Sequence, residues 1–402
     1  SVFYLHAITH VTIRKWTRKG LFITAFVFAF ISLSSVLAFP IYALPEPGGV
    51  HPIGTQSFVI EDRDRVERYG DDTQTFRKFK IQAWYPAKTT EGYERTPWIE
   101  DGKTVSRGLA RDIGLPFFVL DHTTNIMSHA FLDAPISQSS QDYPVVILSH
   151  GWRGLRSLHT DYAEELASNG YIVIGIDHTY GSVATVMDGK TFYLDQSALP
   201  SRETTPDFLD YANQLVHTYG SDVTSTIDYL ERIQGDEDAS RFSTSLDLSN
   251  IGLLGHSTGG GGDVAVALED DRIKSVMGLD AWVEPIDEER LENGLDVPSL
   301  FLRSGNWEES YNNEYLYTLI ENSTASTGLY QIDGTTHYDF AMVDMYSPLT
   351  RLIGFSGSIE TKRLTPMLKT MISDFFDDTL KGGGPNGIDP DQWEEVRSIP
   401  LD

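Results

Sequence analysis

Cysteine is absent from this chain of 402 residues. That excludes a disulfide scaffold, a thiolate metal site and a cysteine nucleophile. It does not fix the compartment, because an exported bacterial protein can do without disulfides. Basic side chains are scarce: 31 Lys and Arg stand against 58 Asp and Glu, for a net charge of −27. So negative a surface repels phosphate backbones and anionic headgroups, which argues against nucleic acid as a partner and against electrostatic adhesion to lipid. The carboxylate excess reads as a solubility device. Low-complexity linkers and internal repeats are missing as well. With 40% apolar and 22% charged residues, the chain is neither fibrous nor disordered.

Long apolar runs are equally scarce, with one exception. Residues 21–39, LFITAFVFAFISLSSVLAF, carry no charge, and Arg14, Lys15, Arg18 and Lys19 precede them. As a helix the run spans roughly 28 Å, close to the ~30 Å of a hydrocarbon core. Pro40 and Pro45-Glu46-Pro47-Gly48-Gly49 end it. Basic residues before an apolar run keep the amino end inside and export the chain beyond the run. Two readings stand: a signal peptide cut after Ala38 or Ala43, or an uncleaved anchor in contact with the membrane. Either way the protein is expected outside, secreted or periplasmic, or anchored with its folded part exposed. Residues 1–44 are the targeting segment, 45–382 one large domain, and 383–402 a tail that wraps the surface or frays.

Within that domain, period-2 patterns at 57–60 and 79–85 predict half-buried antiparallel strands. Continuous apolar runs come next at 145–148, 171–174, 251–254, 273–279, 300–302 and 329–332, as parallel strands covered on both faces require. Helical patterns lie between them, at 158–167, 208–233 and 264–268. Near the end, Leu364, Met367, Leu368, Met371, Ile372, Phe375 and Phe376 repeat at helical spacing. The alternation predicts an α/β fold with a mostly parallel central sheet and helices on both faces. Two long segments break the rhythm: 88–142, a candidate lid or insert, and the polar loop 179–206.

Gly255-His256-Ser257-Thr258-Gly259 matches G-x-S-x-G, after a strand pattern and before a helical one. This is the setting of a nucleophile elbow, where a tight turn exposes the hydroxyl at a helix N-terminus. The glycines continue to Gly262. No Lys-Ser/Thr comes after them, as a phosphate loop needs, so close helix–strand packing explains them better. A serine hydroxyl needs a base, and the base an orienting carboxylate, in the order Ser, acid, His. His337 is the one histidine after Ser257, in a loop that succeeds a strand. For the acid, Asp280 ends the strand 273–279 and is preferred; Glu308 is the runner-up, and Asp296 and Glu309 also flank the next strand. The oxyanion donors expected are the N–H groups of Thr258 and of Trp152, in Ser149-His150-Gly151-Trp152. The pairs His122/His129 and His150/His159 lack metal-ligand spacing, so no metal is expected. His256 is expected to hydrogen-bond neighbouring loops.

Together these pieces resemble the platelet-activating factor acetylhydrolase family, of the plasma type, and its bacterial relatives. The resemblance runs over roughly residues 50–380 and rests on PVVILSHGWRG, ASNGYIVIGIDHTYGS, GLLGHSTGGG, MGLDAW and GTTHYDF. It implies an α/β-hydrolase fold, no cofactor and no calcium. It also implies an acid in a D-A-W context, which is Asp280, alongside Ser257 and His337, with Trp152 and Thr258 as oxyanion donors. The expectation is a serine carboxylesterase acting on short-acyl esters, small-molecule or lipid, extending to the sn-2 ester of oxidised or short-chain phospholipids. A second expectation is a polyester or aromatic-ester hydrolase whose cleft is lined by Trp152, Trp282 and Trp307. A third is an anchored binding protein that has lost the reaction.

Overall fold

A computed structural model describes residues 15–71, 73–139, 141–382 and 389–400. The strands in chain order are β1 (Ile53–Val66), β2 (Phe76–Pro86), β3 (Arg95–Pro97), β4 (Met127–Leu132), β5 (Tyr143–Ser149), β6 (Ile172–Asp177), β7 (Ala184–Met187), β8 (Lys190–Tyr193), β9 (Leu246–His256), β10 (Ile273–Leu279), β11 (Ser299–Ser304), β12 (Thr327–Ile332) and β13 (Val396–Ser398). The helices are α1 (Lys15–Ala38), α2 (Gly102–Asp112), α3 (Thr160–Ser168), α4 (Phe208–Ile233), α5 (Thr258–Ala267), α6 (Glu288–Leu291), α7 (Asn312–Asn322), α8 (Val343–Tyr346) and α9 (Thr361–Leu380).

One sheet takes eleven of the described strands, in the order β13-β12-β11-β10-β9-β5-β6-β2-β1-β4-β3. From β12 to β6 every pairing is parallel. β2 then runs antiparallel to both β6 and β1. Neighbours along a strand point to opposite faces, and the core divides accordingly. Val145, Ile147 and Leu253 join α4 and α5 on one face. Val146, Leu148 and Leu254 join α3 and α9 on the other. This two-sided burial is why those strands read as continuous apolar runs.

The two long segments are more structured than their sequences announce. Residues 88–142 hold β3, α2 and β4, and the two strands extend the sheet at its far edge. β3 is three residues long, too short to carry a period, and α2 is amphipathic but holds two glycines, which disfavour a helix by propensity. The loop 179–206 contains the hairpin of β7 and β8. Its turn is Asp188-Gly189, both at positive φ (52° and 72°), a two-residue hairpin signal present in the sequence. At the carboxyl end, residues 396–398 neither wrap nor fray: they pair with β12 as the antiparallel edge strand β13. Residues 383–388 of the expected tail lie outside the described residues.

The stretch Lys19–Ala38 of α1 is long and apolar enough to cross a membrane, and nearly all of it stands clear of the domain. Ile31 and Phe39 pack against the small cluster of Ala110, Val119 and Leu120 at the end of α2. The segment between α1 and β1 is docked: Leu44 is buried among Trp98, Leu155 and Tyr346. Gly48 N–H donates to Glu165 Oε2 at 2.8 Å, and Gly49 N–H to Ser168 Oγ at 3.0 Å.

Candidate active site

β9 ends at His256 and α5 begins at Thr258, so the whole reversal falls on Ser257. Its backbone sits at φ 55°, ψ −122°, a region costly for a residue with a Cβ and held only when the surroundings over-determine it. The determinants are close approaches. A Cβ on Gly255 would lie 2.5 Å from the Gly260 Cα, and one on Gly261 would lie 2.1 Å from the Trp282 carbonyl. The glycine run therefore serves tight packing of α5 against β9 and the strand beside it. The carbonyl of Ser257 accepts from the N–H groups of Gly261 (3.0 Å) and Trp282 (2.9 Å). As the first helical residue, Thr258 has an N–H with no intrahelical acceptor.

Asp280 stands at the end of β10, directly beside the elbow, at φ 43°. Its carboxylate is almost fully buried. Oδ1 accepts the Ser304 N–H at 2.7 Å, and Oδ2 accepts the Ser304 hydroxyl. Oδ2 also receives His337 Nδ1–H at 2.9 Å. His337 opens a turn after β12 that carries its own capping box: Asp339 Oδ2 accepts the Thr336 N–H at 2.7 Å. Asp339 thus caps the turn. The runner-up acid, Glu308, is exposed and paired with Arg397 at 2.6 Å.

The loop after β5 presses on the serine. A Cβ on Gly151 would lie 2.9 Å from Ser257 Cβ and 3.4 Å from its Oγ. The Gly151 carbonyl is held by His150 Nδ1–H at 2.7 Å and by Gly154 N–H at 2.9 Å. In a planar trans peptide the N–H points opposite to the C=O, so Trp152 N–H is turned away from that anchor. His150 Nε2 accepts from the His178 N–H and meets Ser182 Oγ at 2.8 Å. Burial, with His178 next to it, holds the His150 imidazole well below its usual pKa, hence neutral. Behind it, His178 Nδ1–H donates to Asp222, which Arg77 grips at 2.6 Å. Burial alone would raise the Asp222 carboxyl; Arg77 and Arg65 outweigh it and hold it well below the carboxylate range. His256 donates from Nε2 to the His337 carbonyl at 3.0 Å, the loop contact expected of it.

The three tryptophans have different packing partners. Trp152 packs against the cluster of Tyr69, Ala198, Leu215 and Tyr219. Trp282 donates Nε1–H to Glu284 at 3.1 Å and faces Phe208 at 6.0 Å between centroids. Trp307 lies flat on His337, centroids 4.5 Å apart and rings within 1° of parallel. Sequence reasoning passed over Ser304, Asn306 and Asp263. Asp263 is fully buried one turn into α5 and accepts the Ser149 hydroxyl at 2.7 Å. The signal for Ser304 and Asn306 was their place at the carboxyl end of a parallel strand next to the acid's.

The profile of the family described as "Platelet-activating factor acetylhydrolase, isoform II" matches residues 38–394. The platelet-activating factor acetylhydrolase of Canis lupus familiaris is 23% identical over 248 residues, 56% of this chain and 54% of that protein. The chain thus aligns with about half the length of this relative. The protein of the same name from Cavia porcellus is 24% identical over 333 residues, 77% of this chain and 72% of its own. Among solved structures, a ferulic acid esterase from Streptomyces cinnamoneus superposes with a TM-score of 0.73 at 23% identity, covering 90% of this chain and all of the other. That likeness establishes the α/β-hydrolase fold. With the profile covering residues 38–394, the chain belongs to the platelet-activating factor acetylhydrolase isoform II family.

Proposed function

We propose that this protein is a serine carboxylesterase, exported, acting on short-acyl esters through Ser257, His337 and Asp280. The observation that carries the reading is the 2.9 Å bond from His337 Nδ1–H to the buried Asp280 carboxylate, beside a serine strained at φ 55°. With Nδ1–H committed to Asp280, the His337 lone pair is on Nε2, where a general base needs it. Ser257 Oγ attacks the ester carbonyl as its proton passes to Nε2. The oxyanion of the tetrahedral intermediate is stabilised by Thr258 N–H and Trp152 N–H, fixed in advance by a helix terminus and by the His150 anchor. The proton returns to the leaving alcohol, and water then releases the acyl group by the same steps in reverse order of roles. The chain's own groups complete this cycle, so no cofactor is invoked. The names of the relatives extend the proposal to sn-2 acetyl and short-acyl glycerophospholipids.

The test is hydrolysis of nitrophenyl esters from acetyl to hexadecanoyl, with chelator, by the full-length protein and Ser257→Ala. Turnover that peaks at short chains and vanishes in the variant supports the reading. Turnover unchanged by the substitution overturns it, and a folded wild type inert on every chain length favours the binding-protein alternative. Release of soluble monomers from a polyester film distinguishes the polyester reading.

A further inference from the structure

The loop leaving β11 grips both halves of the acid–base pair. Ser304 donates its N–H and its hydroxyl to Asp280. Asn306 Oδ1 accepts the His337 N–H at 2.9 Å, tying the base's own backbone to the same turn. Trp307 then lays its indole on the imidazole. The indole is itself carried on a fixed backbone, since the Trp307 carbonyl accepts Ser310 N–H and Asn313 Nδ2–H, each at 3.1 Å.

One hydrogen bond to Asp280 limits the imidazole's distance from the acid but leaves its ring free to tilt. A coplanar stack removes that freedom. The indole face also carries negative quadrupole density, which attracts a cation more than a neutral ring. The base is neutral before attack and an imidazolium while the tetrahedral intermediate exists, so the stack strengthens as the reaction proceeds. That is the differential binding that accelerates a chemical step rather than substrate capture.

We propose that Trp307 is a positioning residue for the base: its indole face orients the His337 imidazole and stabilises the imidazolium formed when Ser257 gives up its proton. This rests on the triad reading above. It also reassigns Trp307, because the face lying on His337 is unavailable to an aromatic substrate.

The experiment compares the full-length protein with Trp307→Phe, Trp307→Leu and Trp307→Ala. Kinetics on nitrophenyl acetate are paired with the downfield proton resonance of His337 Nδ1–H, assigned by its loss in His337→Gln. Phe keeps a ring and is expected within about 3-fold of wild type, with the resonance retained. Leu and Ala are expected to lose about 10- to 100-fold in kcat, as small misplacements of reacting groups do. Their KM should stay within about 3-fold, with the resonance broadened or lost and the far-UV spectrum unchanged. A Leu variant equal to wild type in kcat and resonance overturns the proposal. So does a loss confined to KM, which marks a pocket wall. A wild type without Ser257-dependent turnover sinks the triad reading instead, and the resonance still decides whether the stack orients the ring.

Discussion

Ser257, Asp280 and His337 come from three loops, and each is fixed by contacts that have no other evident purpose. Two of them pay in strain: Ser257 and Asp280 both hold positive φ without being glycine. In the proposed triad Asp280 is the acid, since His337 bonds it while Glu308 is paired elsewhere. Asp280→Asn is therefore expected to lower kcat about 10⁴-fold, by presenting the base with the wrong tautomer. Glu308→Gln should stay within about 2-fold, as exposed pairs contribute little. Steady-state kinetics on one short ester checks both; an equal loss in the two variants contradicts the assignment. Ser257 and His337 could be proposed from the sequence because their residue types and chain order leave few partners. The acid was open among four carboxylates, because strand position is visible in a sequence and side-chain pairing is not. Ser304, Asn306 and the stacking of Trp307 were hidden for the same reason.

At the scale of elements, the parallel strands were legible because burial on both faces writes itself as uninterrupted apolar runs. Edge pieces were not: β3 and β13 are short, half-exposed and fixed by pairing rather than by composition. The elbow helix hides a further feature. Asp263 of α5 is buried, and burial pushes its carboxyl up to about 8; the Ser149 hydroxyl opposes this only in part. Its pKa in the folded chain therefore lies above that of the unfolded chain, ~3.9. Below the unfolded value both states hold the proton. Between ~4 and ~8 the unfolded chain releases it while the fold retains it, so stability falls as pH rises and levels off above ~8. Asp263→Asn removes this term and keeps the acceptor for Ser149. Denaturant midpoints should show the variant gaining on wild type by on the order of 5 kcal/mol between pH 4 and pH 8.5. A stability difference that does not change with pH contradicts the buried, protonated Asp263.

For the whole molecule, the amino-terminal helix and the domain meet at a docked strap. Leu44 is buried and Gly48 and Gly49 are hydrogen-bonded, so the domain holds the chain from Leu44 onward. Tyr42 also packs on this cluster, against Trp98 at 6.1 Å between ring centroids. If the targeting segment is removed, a cut after Ala38 keeps these contacts, whereas a cut after Ala43 discards Tyr42 and leaves a charged terminus on Leu44. Terminal sequencing of the exported protein should accordingly begin at Phe39; a start at Leu44 contradicts this, and an unprocessed chain that sediments with membranes identifies the anchor. Under the proposed export, the four basic residues before the apolar run stay behind and the outward part of the chain carries −31. All of this serves a single centre, and the measurement that addresses it most directly is labelling of the folded full-length protein with a fluorophosphonate probe, with the adduct located by peptide mass mapping. One adduct per chain is expected, on the peptide containing Ser257, absent in Ser257→Ala and formed far more slowly in His337→Ala. No adduct on the folded wild type, or an adduct that persists in Ser257→Ala, would contradict Ser257 as the activated nucleophile.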